Sequence, residues 1–274
     1  MASRRLLQLV GALSILTFAI LATSAWVGGV SSVAQASLTA NQSVKWPSSA
    51  GSHSHSATSG GTIYAATFET DSRLFRISPS RRTTTFVGYL GHEITDIAFL
   101  GGVLYGIGFG TFYRINLQTG LGTEIGALKV VNGNALTNVP GHSDLLAAST
   151  TGQVFWINPT DAAVTNVGYF GVGIGSSGDL TYIGRTLYAT VTRAGYVDSF
   201  LARVNVGTGM ARIIGDSGFA SVYGLAPLGG TLYGATSVGA FLRFNVRTGR
   251  ATLLWSSHLP VGGLAPLTVL RGSQ

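Results

Sequence analysis

Five copies of one short pattern, a spacing of 41–45 residues between them, and a lone strand displaced to the C-terminal end predict the fold. They point to an all-β chain, a five-bladed β-propeller of four-stranded antiparallel blades. The C-terminal strand is expected to complete blade one and close the ring. A period of about 40–50 residues is that of propeller blades.

The elements follow in chain order. Arg4 and Arg5 precede an uncharged, apolar run that ends in Ala34-Gln35-Ala36. This is the layout of a signal peptide over residues 1–36, with the small-x-small pattern at its cleavage site. Cleavage after Ala36 and retention as an anchor both fit the run, since about 20 apolar residues span a bilayer. Residues 37–59 are small, polar and Ser/Gly-rich, which predicts a flexible arm. The propeller is expected over residues 60–268, followed by a short tail at 269–274.

Within the propeller the copies align on Tyr64, Tyr105, Leu146, Tyr188 and Tyr233. "TLYGAT" and "FLRFNV" show the aromatic and branched residues of short strands. "QTG", "GTG" and "RTG" then put Gly120, Gly209 and Gly249 at hairpin turns, where a positive φ is easy for glycine. Asn116, Asn158, Asn205 and Asn245 stand before these turns and suit local backbone capping. Arg76, Arg114, Arg203 and Arg243 recur at one strand position. Their expected role is to cover apolar surface with the stem and bond a loop carbonyl with the head.

A further strand lies between copies: "TDIAFL", "NALTNV", "GDLTYI" and "YGLAPL". Copy one lacks it, and its match "GGLAPL" sits at residues 262–267 with no copy after it. Circular closure explains both facts, because it removes the sticky edges of an open ring. The "LYG…R-I-N…TG" pattern over about residues 60–268 resembles secreted propeller repeats of the broad NHL, YVTN and quinoprotein-like class. That resemblance implies radially packed blades with each first strand nearest the axis. It names no chemistry.

Composition excludes several functions. The 274-residue chain has no cysteine, so disulfides and thiolate chemistry are absent. Its 17 basic and 10 acidic residues become 15 and 10 if Arg4 and Arg5 leave, a scattered excess of +5. No basic patch for nucleic acid is visible. No cofactor is implied, and no membrane span remains after signal cleavage.

Candidate site residues are few. Loops entering each first strand, and loops joining the second and third strands, should share one face. Asp96 and Asp179 occupy matching positions near the starts of inner strands, with Thr137, Gly224 and Gly263 as counterparts. They either cap their own strands or approach the axis as a carboxylate pair for catalysis or ligand binding. His92, Glu93 and His258 fall in neighbouring loops of the same face and make, with Asp96, a thin metal or acid–base grouping. Tyr196, Asp198 and Asp216 belong to copy four, whose insert "TRAGYVDS" is the longest. No nucleophile elbow or phosphate loop is present.

These features rank an exported, non-catalytic interaction or scaffold protein first, binding a protein or cell-surface partner by its loop face. A glycan-binding propeller comes second. A glycoside hydrolase or lyase using Asp96 and Asp179 comes third. The glycan readings rest on fold analogy.

Overall fold

The computed structural model describes residues 61–267. Residues 1–60, with the expected signal and arm, and residues 268–274 lie outside the described residues.

Twenty strands form five four-stranded sheets. Blade two is β4 (Asp96–Leu100), β5 (Val103–Ile107), β6 (Thr111–Ile115) and β7 (Gly122–Ala127). Blade three is β8 (Gly133–Asn138), β9 (Leu145–Ser149), β10 (Gln153–Ile157) and β11 (Val164–Tyr169). Blade four is β12 (Ile174–Ile183), β13 (Thr186–Arg193), β14 (Asp198–Val204) and β15 (Ala211–Ala220). Its strands are the longest, and the inserted "TRAGYVDS" extends its β13–β14 hairpin. Blade five is β16 (Val222–Leu228), β17 (Thr231–Thr236), β18 (Ala240–Phe244) and β19 (Ala251–Ser256).

Blade one is the composite sheet: β1 (Ile63–Thr67), β2 (Arg73–Ser78) and β3 (Thr83–Tyr89), with β20 (Val261–Pro266) as its innermost strand. The β20–β1 register pairs Tyr64 with Ala265 and Ala65 with Leu264. The expected closure is therefore present. Inner strands β20, β4, β8, β12 and β16 follow one another around the axis, each packed on the next.

The hydrophobic core is divided into five layers, one in each joint between neighbouring blades. Strand alternation builds these layers. In β1, Tyr64 and Ala66 enter the joint with blade two, while Ile63 and Ala65 enter the joint with blade five. That is why all five β1 residues are buried.

Glycines align the outer parts of the joints. A Cβ on Gly88, Gly168 or Gly215 would lie 1.8–2.1 Å from the carbonyl oxygen of Thr119, Thr208 or Thr248 in the next blade's turn. The recurring leading glycine and the recurring Thr-Gly turn are thus two halves of one contact. Gly126 meets Asp161 and Ala162 more loosely. The fifth joint is different: strand register puts Trp255 of blade five at the glycine position. Gly215→Ala is expected to lower stability by about 1–3 kcal/mol through overpacking. Gly110→Ala, which meets nothing within 4 Å, should melt with the parent. Equal melting of Gly215→Ala and the parent in calorimetry would contradict the contact.

The Asn turns form as the sequence indicates. Asn116 Oδ1 accepts the Gln118 and Thr119 N–H groups at 2.8 and 3.1 Å. Asn158, Asn205 and Asn245 repeat this on Thr160, Gly207 and Arg247. The arginine column departs from expectation. Arg76, Arg114, Arg203 and Arg243 are exposed, and their heads bond no loop carbonyl among the described residues. Each pairs in register with the aligned tyrosine of the preceding strand, Tyr64, Tyr105, Tyr188 or Tyr233, and leaves the sheet on that face.

Candidate functional site

Antiparallel alternation places the β1–β2 type of hairpin and the loops entering inner strands on one face. Backbone hydrogen bonds between the two loop sets verify it. Phe68 N–H donates to Pro260 O at 2.6 Å, Gly133 N–H to Phe109 O at 3.2 Å, and Ala194 N–H to Gly173 O at 3.0 Å.

At the ring centre, Asp96 and Asp179 are both fully buried. Cross-strand register sets the axial position two residues before Ala265, Ala98, Thr137, Thr181 and Ala226. The axial residues are therefore Gly263, Asp96, Ala135, Asp179 and Gly224. Ala135 corrects the expected counterpart Thr137. The register is unbroken from Ala135 to Asn138 and pairs Thr137 with Leu146, so Thr137 matches Ala98 of blade two and not Asp96.

The next residue on each inner strand turns its N–H to the two carboxyls. Asp96 Oδ1 accepts from Ile97 at 2.7 Å, and Oδ2 accepts from Leu136 of blade three at 2.6 Å. Asp179 Oδ2 accepts from Leu225 of blade five and, at 3.4 Å, from Leu264 of blade one. The Leu180 N–H also favours the Asp179 charge. One backbone donor from every blade thus reaches a carboxyl. The acids cap strands, as one of the two sequence readings expected, but they do so across blades.

Burial raises both carboxyls well above the usual aspartate range, and the Asp179 charge pushes Asp96 further up. The two carboxyls shift one another's ionisation. Asp179 Oδ1 has no hydrogen-bond partner among the described residues. A proton retained by the pair relieves the repulsion between two like charges sharing a buried site. The axis is a plug of backbone donors around one acid–carboxylate pair, a setting that leaves no lone pairs aimed at solvent.

The layer above the plug opens to the loop face. Thr95, Asn134, Gly178, Tyr223 and Gly262 stand one residue before the five axial positions, and all five line a depression of about 220 Å³. The second-to-third-strand hairpins add Phe68, Phe109, Thr150 and Thr192 to its wall. Phe68 packs edge-to-face on Phe109 and on Tyr223, with ring centroids 6.1 and 5.9 Å apart. The Phe68 hairpin is held by Arg73, whose Nε and Nη2 donate to Glu69 Oε2 and Oε1 at 2.7 and 2.9 Å. Sequence reading passed over these lining residues because none carries a charge. The signal available was positional: one residue before each axial site.

The other candidates are dispersed. His92 lies against the Tyr113 ring at 4.5 Å between centroids, while Glu93 and His258 are exposed. Among the described residues no group of three or more His, Cys, Asp or Glu could hold a metal ion. Asp216 Oδ1 caps its own turn, accepting from Gly218 N–H at 2.7 Å. Asp198 sits at the start of β14, paired with Ala220. Tyr196 packs edge-to-face on Phe200 and carries the Arg193 guanidinium 4.9 Å over its ring.

No protein-family model matches the chain, and no curated protein matches it. Solved structures do. A chain of a nidogen/laminin complex aligns at 10% identity over 76% of this chain and 98% of that one, with a TM-score of 0.52. The likeness is one of fold. A structural-genomics protein of unknown function from Bacteroides thetaiotaomicron VPI-5482 aligns at 16% identity over 73% of this chain and 58% of that one, with a TM-score of 0.47. Similar solved chains number 823, and a fold shared that widely selects no partner by itself. No helix among the described residues is long and apolar enough to cross a membrane.

Proposed function

We propose that this chain is an exported, non-catalytic interaction protein that docks a protein partner on the loop face of its propeller. The observation that carries the reading is the crowd of exposed apolar side chains there. Val131, Val172, Val197 and Val238 are 72%, 104%, 87% and 79% exposed, and Tyr196 is 55% exposed. All stand in loops of that face. Apolar surface gathered on one face marks an interaction site more often than scattered surface does. The nidogen/laminin structure, a protein–protein complex, supports the reading by fold only. Hydrolysis by Asp96 and Asp179 is disfavoured by their full burial and their bonds to backbone. Export belongs to the proposal and rests on residues 1–36.

The absence of cysteine makes a clean test. Val172→Cys and Val238→Cys, labelled with a photo-crosslinker in the full chain on source cells, are expected to trap a protein partner. Gln118→Cys, in a turn of the opposite face, is expected to trap none. Crosslinking that does not differ between faces, or full-length chain recovered only from the cytosol, would remove the reading.

A further inference from the structure

The axial depression has properties that partner docking does not use. Asn134 and Ser176 line it and are 7% and 3% exposed, and Asn134 Oδ1 and Ser176 Oγ have no hydrogen-bond partner among the described residues. A buried polar atom left unpaired is destabilising, so two in one cavity call for a ligand that supplies donors. The volume, about 220 Å³, exceeds the ~30 Å³ share of one water. It falls short of the roughly 300–1,000 Å³ that holds a drug-sized molecule. One small ring fits between these bounds.

The walls set its chemistry. Phe68, Phe109 and Tyr223 offer apolar surface on one side, and Thr150, Ser176 and Thr192 offer hydroxyls on the other. Among the described residues, no Asp, Glu, Lys, Arg or His lines the depression. The plug beneath carries a carboxylate charge already engaged by backbone donors. An anion entering the cup meets no counter-charge and faces that carboxylate. A cation meets no accessible acid. The five lining residues of the uppermost inner-strand layer are Thr, Asn, Gly, Tyr and Gly, so the ring's fivefold pattern does not extend to this layer and the site is single.

We infer that the axial cup binds one neutral polyhydroxylated ring, a single sugar unit, with its C–H face on the aromatic wall and hydroxyls donating to Asn134 Oδ1 and Ser176 Oγ. The partner proposal neither requires this site nor follows from it. A sugar matches the cup because each hydroxyl both donates and accepts, whereas the remaining ring surface is apolar.

Calorimetric and NMR titration of the full chain with glucose, galactose and N-acetylglucosamine tests it. At least one is expected to bind once per chain, with Kd of about 1 mM, a value within reach of a ligand this small. Asn134→Ala should weaken binding about 3–10-fold, the loss of one hydrogen bond. Phe109→Ala removes part of the aromatic wall at a residue already 37% exposed. It should weaken binding while leaving the melting temperature near that of the parent, which guards against a misfolded Asn134 variant. No binding by any neutral sugar overturns the inference. So does equal or tighter binding of glucosamine or glucuronic acid, or binding unchanged in both cup variants. Crosslinking from Val238→Cys reads the partner proposal separately, so failure of one leaves the other standing.

Discussion

Asp179→Ala is expected to lower stability by about 3–5 kcal/mol, the range for breaking a buried, hydrogen-bonded charge site. For a domain of this size that is a fall of roughly 6–20 °C in melting temperature. The substitution strands the Leu225 and Leu264 N–H groups of two different blades. Asp96→Ala strands Ile97 and Leu136 and should act similarly. Asp96→Asn is the informative contrast. It removes one ionisable group from the pair, although its NH2 takes the place of one of the two oxygens that accept from Ile97 and Leu136.

The same pair sets a pH dependence. In the unfolded chain both acids ionise near pH 3.9, whereas the folded pair, raised by burial, keeps a proton. The folded state then binds more protons than the unfolded state. Stability is fullest below the unfolded value and is lost as pH rises through the raised folded value, by up to about 1.4 kcal/mol per pH unit per proton. Denaturant titrations of the parent should show stability falling from mildly acidic toward neutral pH. Asp96→Asn should flatten that slope. A slope identical in parent and variant would mean the pair carries no proton.

Removing residues 261–274 is expected to abolish cooperative unfolding or cause aggregation. The truncation deletes β20, leaving β1 as a bare inner edge, and open edges pair with other chains. It also withdraws Val261 and Leu264 from the joint between blades five and one. Each such side chain contributes about 1.5–3 kcal/mol, so the two together are a large share of the roughly 5–15 kcal/mol of a typical domain. A peptide covering residues 260–268, added in trans, should restore a saturable increase in melting temperature. A truncated chain that melts like the parent would show that the ring does not depend on its last strand.

Which parts could be read in advance follows from what each part depends on. The blades depend on local pattern and are legible in "TLYGAT" and the Asn-to-Gly turns. Closure is legible because "GGLAPL" lies where no copy needs it. The match of Asp96 with Asp179 is also local, since both open an inner strand. Their contact is not local: it needs five strands brought to one axis, and only the pairing of Thr137 with Leu146 shows that Ala135 takes the axial place in blade three. The cup was missed for a different reason. Asn134, Ser176 and Tyr223 are ordinary strand residues until the ring places them side by side. His92, Glu93 and His258 drew notice for their chemistry, although their surroundings give them no shared task.

The axial plug also limits how this ring can be simplified. Its five converging amides are served by two acids, with alanine or glycine at the remaining three places. A tandem protein made of five identical units would put the same residue at every place. Five aspartates would crowd charge into one dry spot, and five glycines would leave every amide unanswered. The working solution is available only to units that have become unlike one another. For anyone rebuilding this chain from a consensus repeat, the axial column is therefore the one column that must not be averaged.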